Sequence, residues 1–453
     1  MPPGCILIRA IPNPTDRMDQ PADPLASLPV AVRPTVARRF LLVVLAAVLL
    51  GAGFVGILSL VQSRKKSPTA ALVSPVPSAS PSQSAAEQEG KALGAACQGT
   101  GSRQLGALPL RFQDIGFVLP SGRMSGTQVI PGDSQQYVGA DASAKSDTYP
   151  VFAPADGILV GVQSSLSPGS DGFRVLIAYS CTFFSYVDQL TSLDGTVTSQ
   201  LPPAWDAMAP LQTAIPIRQG QRIGGSSGSG VAFGLWDLNK RDMGYAVPLA
   251  YSSQPGKIHS VPPGDYFQSD LAYQVSAKYA RTVRPLDGKS DYDQDGRLVG
   301  SWFVAGSDGI MGANPAKRYA GQISFAYDAL DPVVPEISLG DFSGNPGQFL
   351  VSGNGPVPAG ITAQSGLIKY ELLPVTGYAR ADGSRWNGTG LAQNLAPTAQ
   401  ATSLGTLLVQ LLGPDNLRVE VVPGKTPAHV SAFSSAFQTY DRGNAATDQS
   451  GGK

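Results

Sequence analysis

The chain has 453 residues, 42% hydrophobic and 15% charged, with 33 basic side chains balanced by 33 acidic ones. At about 150 residues per domain there is room for two or three domains. The neutral balance, with a pI of 6.7, excludes a nucleic-acid binder, which needs a clustered basic surface to displace counterions from phosphates. Gly (52) and Pro (38) are abundant and favour many short strands over long helices, so the expected fold class is mainly β.

Residues 1–38 read as a short cytoplasmic tail. Phe40–Val61 is an uncharged apolar run of bilayer-crossing length, flanked by Arg38 and Arg39 before it and Arg64, Lys65 and Lys66 after it. A cleaved signal peptide would end in small residues rather than in a basic cluster. The expectation is a single retained transmembrane helix over 39–62, with membrane as the partner of this segment. The excess of Arg before it (Arg9, Arg17, Arg33, Arg38, Arg39) places the amino terminus inside and the bulk of the chain outside, a single-pass cell-membrane protein. Residues 63–100 are rich in Pro, Ser and Ala and read as an extended tether. Of three cysteines, Cys97 and Cys181 fall on the outer side, where either a disulfide or two lone buried thiols is compatible with the sequence.

From 101 to 282 short apolar runs bounded by Gly, Pro, Asp or Ser predict strands: Val151–Val162, Phe173–Tyr179, Phe183–Val187, Arg222–Ile223 and Ala232–Leu238. A short helix is expected at Ala272–Tyr279. Val283–Gly296 is polar and turn-rich and reads as a boundary. A second β-rich domain, 283–442, is expected from Gly300–Ala305, Gln322–Tyr327, Gln348–Val351, Leu367–Leu372, Thr406–Leu412 and Arg418–Val422, with Ala381–Leu404 as a long loop. Residues 443–453 read as a disordered tail.

Two segments of the first domain carry a resemblance. Val151–Val160 reads VFAPADGILV and Ile217–Gly224 reads IRQGQRIG; each is a strand, a Gly turn and a returning strand. The pair resembles the lysostaphin/LytM-type zinc metallopeptidases, over Val118–Leu238. That resemblance implies a β-sandwich built on a duplicated hybrid motif, with zinc held by a His and an Asp upstream of the first motif and by the last His of an H-L-H strand. A catalytic zinc needs three protein ligands and an open position for water. Here Tyr137 and Asp141 stand where the family has H-x-G-x-D, and a second register places Gln128 and Asp133 there. Tyr186-Val187-Asp188-Gln189 replaces the Y-x-H segment, and Phe233-Gly234-Leu235-Trp236-Asp237 replaces H-L-H-F-E. The only histidines, His259 and His429, lie outside these motifs, so the reading is of a degenerate domain with no catalytic residue, no cofactor and no metal.

What the resemblance then implies is a non-catalytic, extracytoplasmic binding or scaffolding protein of the cell envelope, whose old groove recognises peptidoglycan or an envelope protein. Tyr137, Asp141, Tyr186, Asp188, Trp236 and Asp237 are the groove candidates, since aromatic faces beside carboxylates suit sugars and amino-bearing peptides. The competing reading has Phe233, Leu235 and Trp236 filling the vacated zinc site by apolar packing. A divergent cell-wall hydrolase and a membrane-fusion-type adaptor are the alternatives. Separately, Asp291, Asp293 and Asp295 begin like a calcium loop, but Trp302 stands where a bidentate Glu belongs, so a solvated turn competes with a cation site.

Overall fold

The computed structural model describes residues 84–93, 104–165, 172–202, 214–241, 244–312, 315–351 and 353–443. The expected span at 39–62 and both terminal tails lie outside the described residues; among those described, no helix is long and apolar enough to cross a membrane. The chain divides into residues 1–78 and 79–453, and all described residues belong to the second unit.

That unit is mainly β, with every strand pairing antiparallel. The first part runs β1 (Ile115–Leu119), β2 (Gln135–Gly139), β3 (Tyr149–Phe152), β4 (Gly157–Ser164), β5 (Phe173–Ala178), β6 (Phe183–Leu190), β7 (Ser192–Leu193), β8 (Ile215–Ile217), β9 (Arg222–Ser226), β10 (Val231–Asp237) and β11 (Ser260–Val261). An eight-stranded sheet has the order β1-β2-β10-β6-β5-β4-β8, with β11 against β10; β3-β9-β7 forms a small second sheet. One apolar core unites them, with Val151 and Ile223 from the small sheet meeting Val175, Val187, Phe233 and Leu235 from the large one. Two eight-residue helices lie in this part, α1 (Ala85–Ala92) and α2 (Ser269–Ser276), the latter three residues ahead of the predicted start. The two recognised motifs pair with each other: Val151 lies opposite Gly224 and Gly157 opposite Ile217. Between the pairs, Gln219 N–H donates to Asp156 Oδ1 at 2.7 Å. Gly220 makes the turn at φ +71°, a conformation that glycine adopts without a Cβ penalty.

The second part is one eleven-stranded sheet. Its strands are β12 (Gly300–Val304), β13 (Gln322–Tyr327), β14 (Pro335–Phe342), β15 (Asn345–Leu350), β16 (Ile368–Glu371), β17 (Leu373–Ala379), β18 (Arg385–Trp386), β19 (Ala396–Ala399), β20 (Gly405–Gly413), β21 (Asn416–Pro423) and β22 (Gln438–Asp441). Their order is β16-β20-β21-β22-β12-β13-β14-β15-β17-β18, with β19 on β17. The sheet curls on itself, bringing Phe325 of β13 within 6.2 Å of Tyr370 on β16 around a core centred on Trp302.

Two sequence expectations need correction here. The tether does not stay extended to residue 100: α1 is closed by a capping box between Ser84 and Glu87 and lays Ala86 and Leu93 against an apolar cluster on the large sheet. Val283–Gly296, read as a boundary, runs between α2 and the first strand of the second part, and two of its carboxylates, Asp287 and Asp293, are bonded within the molecule. Asp287 Oδ1 accepts from Gln135 Nε2 at 2.7 Å, from Tyr279 Oη at 3.1 Å and from the Gly264 N–H at 2.8 Å. The 381–404 loop contains β18 and β19, whose Trp386 packs edge-on against Phe117 of β1 at 5.3 Å. Three mixed clusters, around Tyr251 and Phe303, around Phe117 and Trp386, and around Met124 and Tyr292, join the two parts.

Candidate functional site

Strand alternation decides which side chains can meet a ligand, because successive residues face opposite sides of a sheet. In β10, Val231, Phe233 and Leu235 enter the core between the sheets. Ala232 and Trp236 face the other way, into a groove of about 320 Å³. Tyr186, Asp188, Arg174, Gln163 and Leu176 from β4–β6 share that face, and Gln128, Asp133, Lys257 and Arg318 form its walls.

The centre of this face is filled by an aromatic ring. Gly234 lies directly opposite Tyr186 in the β10–β6 register, and a Cβ on Gly234 would run into the Tyr186 ring. Tyr186 is fully enclosed; burial pushes its phenol far above the ordinary range, with Asp133 adding to the shift and Arg174 opposing it. The Arg174 guanidinium stacks 3.8 Å from the Tyr186 centroid and 5.9 Å from that of Trp236, and the two rings are 5.3 Å apart. Stacking over aromatic faces is a favourable setting for a guanidinium. A β-bulge lies beside it: Phe173 pairs with Leu190 but Val175 with Val187, so β6 carries an extra residue. Gln189 takes φ +70° and donates its N–H to Asp188 Oδ1 at 2.7 Å. Asp188 lies two residues beyond Tyr186 and opposite Ala232 in the β10 register, so strand alternation places it on the groove face next to this bulge.

Three of the six groove candidates therefore converge, Tyr186, Asp188 and Trp236, and three do not. Tyr137 pairs with Val231 on the core side, fully buried, packed edge-on against Phe233 at 6.0 Å and donating to Gln135 Oε1 at 3.1 Å. Asp237 is enclosed on that same side, accepting from Asn239 and, at 3.4 Å, from Tyr266 Oη. Asp141 sits on an exposed loop, where Ser143 bonds its Oδ1 and holds its carboxyl below the usual range. The physical reason is the period of two: the register that put Phe233 and Leu235 at the histidine positions assigns them to the core face. The groove positions on this strand are Ala232, Gly234 and Trp236. Sequence reasoning missed Arg174, Lys257 and Arg318, which carry no motif. Gln128 and Asp133, named through the second register, do line the groove.

Zinc chemistry finds no fit in these residues. The groove offers two carboxylates, Asp133 and Asp188, and no imidazole, while a catalytic zinc requires three protein ligands. His259 is turned elsewhere, its Nδ1 against Lys240 O at 2.6 Å and its Nε2 3.4 Å from Glu89. His429 Nδ1 pairs with Thr426 at 2.9 Å on an exposed turn. Among the described residues no group of three or more His, Cys, Asp or Glu side chains could hold a metal ion. The calcium-like segment disperses in the same way. Asp293 is buried, 3.3 Å from Arg442 Nη1 and accepting from Ser301 N–H at 2.8 Å; Asp291 pairs with Lys289 at 2.8 Å; Asp295 is exposed. Arginine and lysine thus serve the first two carboxylates where a calcium loop would put a metal.

A second hollow, of about 520 Å³, opens on the eleven-stranded sheet between Lys317, Asp341, Val421 and Tyr440. Its buried carboxylate, Glu420, is already bonded to the Ser434 N–H and Oγ at 2.6 Å, so the groove on the first sheet is the better-equipped site.

No family model and no curated protein matches the chain. Among solved structures, a zinc containing peptidase from Vibrio cholerae aligns with 17% sequence identity and a TM-score of 0.20, over 31% of this chain and 37% of that chain. The chain thus spans well under half of that protein's length, and a likeness at this level carries no argument about the site.

Proposed function

We propose that the chain is a single-pass membrane protein whose outer part is a non-catalytic binding or scaffolding module of the cell envelope, built on a degenerate LytM-like sandwich. The observation that carries the reading is Tyr186 lying across Gly234. The groove is lined by an aromatic–guanidinium stack and holds no ligand set for a metal-activated water. Aromatic platforms with a few polar groups suit recognition of wall fragments or of an envelope protein. The apolar run Phe40–Val61 and its basic flanks support membrane anchoring. Cys181 is disulfide-bonded, which supports an oxidising exterior for the folded part.

Purified full-length protein is expected to sediment with insoluble peptidoglycan, to contain no stoichiometric zinc and to leave a wall suspension turbid. One zinc per chain, removed by a chelator together with wall-clearing activity, would overturn the non-catalytic reading. Failure of the wild-type protein to sediment would remove the wall as its ligand. Protease added to intact cells is expected to shave off the large portion; its complete protection there would reverse the topology.

A further inference from the structure

Arg174 is held by ring stacking alone. Among the described residues its guanidinium makes no hydrogen bond or ion pair, although it stands in the groove between Gln163, Asp188 and Trp236. The Trp236 indole Nε1–H, which lies against Gly256 of the groove wall, is buried without an acceptor on a residue only 9% exposed. Buried donors in folded proteins are nearly always satisfied, and an orphan asks for an explanation. Both groups are donors only: an arginine has five N–H and an indole one, and neither can accept. The nearby cation is already committed, since Lys257 Nζ donates to Pro131 O at 2.7 Å.

We propose that this end of the groove recognises the free carboxylate of a ligand, with Arg174 supplying the paired N–H fork, the Trp236 indole a third donor, and the aromatic faces seating the ligand's apolar part. This inference rests on the binding reading above and deepens it by naming the ligand's chemistry. A planar guanidinium fixed over two rings presents its in-plane N–H groups without the entropy cost of ordering a free side chain, and carboxylate is the planar acceptor that matches its fork. Tyr186 is the positioning residue, since its ring sets the guanidinium plane.

The test is calorimetric titration of full-length protein in detergent with three probes: N-acetyl-alanyl-alanine as the free acid, the same dipeptide as its carboxamide, and inorganic phosphate. The acid is expected to bind at least about tenfold more tightly than the amide, the worth of a hydrogen-bonded charge. Arg174→Gln is expected to abolish that difference. Trp236→Phe, which keeps a ring and removes the N–H, is expected to weaken the acid alone. Arg174→Lys, retaining charge and stem without the fork, covers the case in which the Gln variant unfolds, and it too is expected to lose most of the preference. Equal affinity for acid and amide, or no binding of the acid, would overturn the inference, and phosphate competing as well as the acid would overturn the carboxylate assignment. If wild-type protein still sediments with wall material while acid and amide bind alike, the carboxylate inference alone has failed.

Discussion

Gly234 and Tyr186 form a cross-strand pair in which each residue requires the other. The glycine leaves a hollow in the sheet and the ring fills it, so a methyl group there must displace either the ring or the strand. Inserting even one carbon into a packed site costs about 1–3 kcal/mol. Gly234→Ala is therefore expected to lower stability by that amount, while the same change in a Tyr186→Ala background is expected to cost much less. Urea unfolding of the four proteins in this cycle measures the coupling; additive effects would mean the ring does not occupy that space. A second residue-scale prediction concerns Glu336, buried on β14. Desolvation, reinforced by Asp328, holds its carboxyl well above the usual range, and Asp328 is itself raised by burial. A folded-state pKa above the unfolded one means stability that is full below the unfolded carboxylate range and is lost as pH rises through the folded value. Glu336→Gln is expected to be more stable than wild type at neutral pH, with the advantage shrinking toward pH 4; an equal gap at both ends would place the ionisable cost elsewhere.

At the scale of elements, α1 is short and polar on most of its surface, and eight residues do not hold a helix in water unaided. Its stability comes from its cap and from docking. Gly90 approaches the Cys181 carbonyl so closely that a Cβ would collide with it, and Glu89 reaches His259. Since α1 ends shortly before Cys97, peptide mapping without reduction is expected to join the Cys181 peptide to the Cys97 peptide. Reduction is then expected to speed hydrogen exchange over Ala85–Ala92 before the β10–β6 pairing is affected. A Cys5–Cys181 link would sever this connection between tether and sheet.

Across the whole folded unit, the two parts share their stabilisation through the mixed clusters and through Asp293, which accepts from the Ala246 N–H at 3.2 Å and faces Arg442. The Arg442 side chain stacks 3.8 Å from the Trp302 ring and donates to the carbonyls of Ser301, Arg297 and Val299. A buried pair of this kind costs about 3–5 kcal/mol when one partner is removed. A single calorimetric transition is expected for residues 79–453, and Phe117→Ala, which removes the ring packed on Trp386, is expected to weaken exchange protection in β2 and β17 together. Two resolved transitions, with protection lost in one sheet only, would show that the junction carries little energy.

Composition and local pattern were enough to determine the mainly β class, the strands at Phe173–Tyr179, Phe183–Val187, Gln322–Tyr327 and Arg418–Val422, and the absence of histidine from the motif region. Each depends only on residue type and neighbours a few positions away. β14 and β17, interrupted by Pro, Gly or charge, went unread because their apolar character is supplied by the sheets around them. Only the tertiary structure decided which face of β10 is open, because alternation defines two faces without saying which the core will cover. It also decided the partners of Asp287 in the 283–296 segment, since a carboxylate bonded by Gln135, Tyr279 and Gly264 looks in sequence like one bonded by water. The groove itself, where Arg174, Tyr186, Asp188 and Trp236 meet, joins residues from three strands, and their nearness follows from strand register rather than from spacing along the chain.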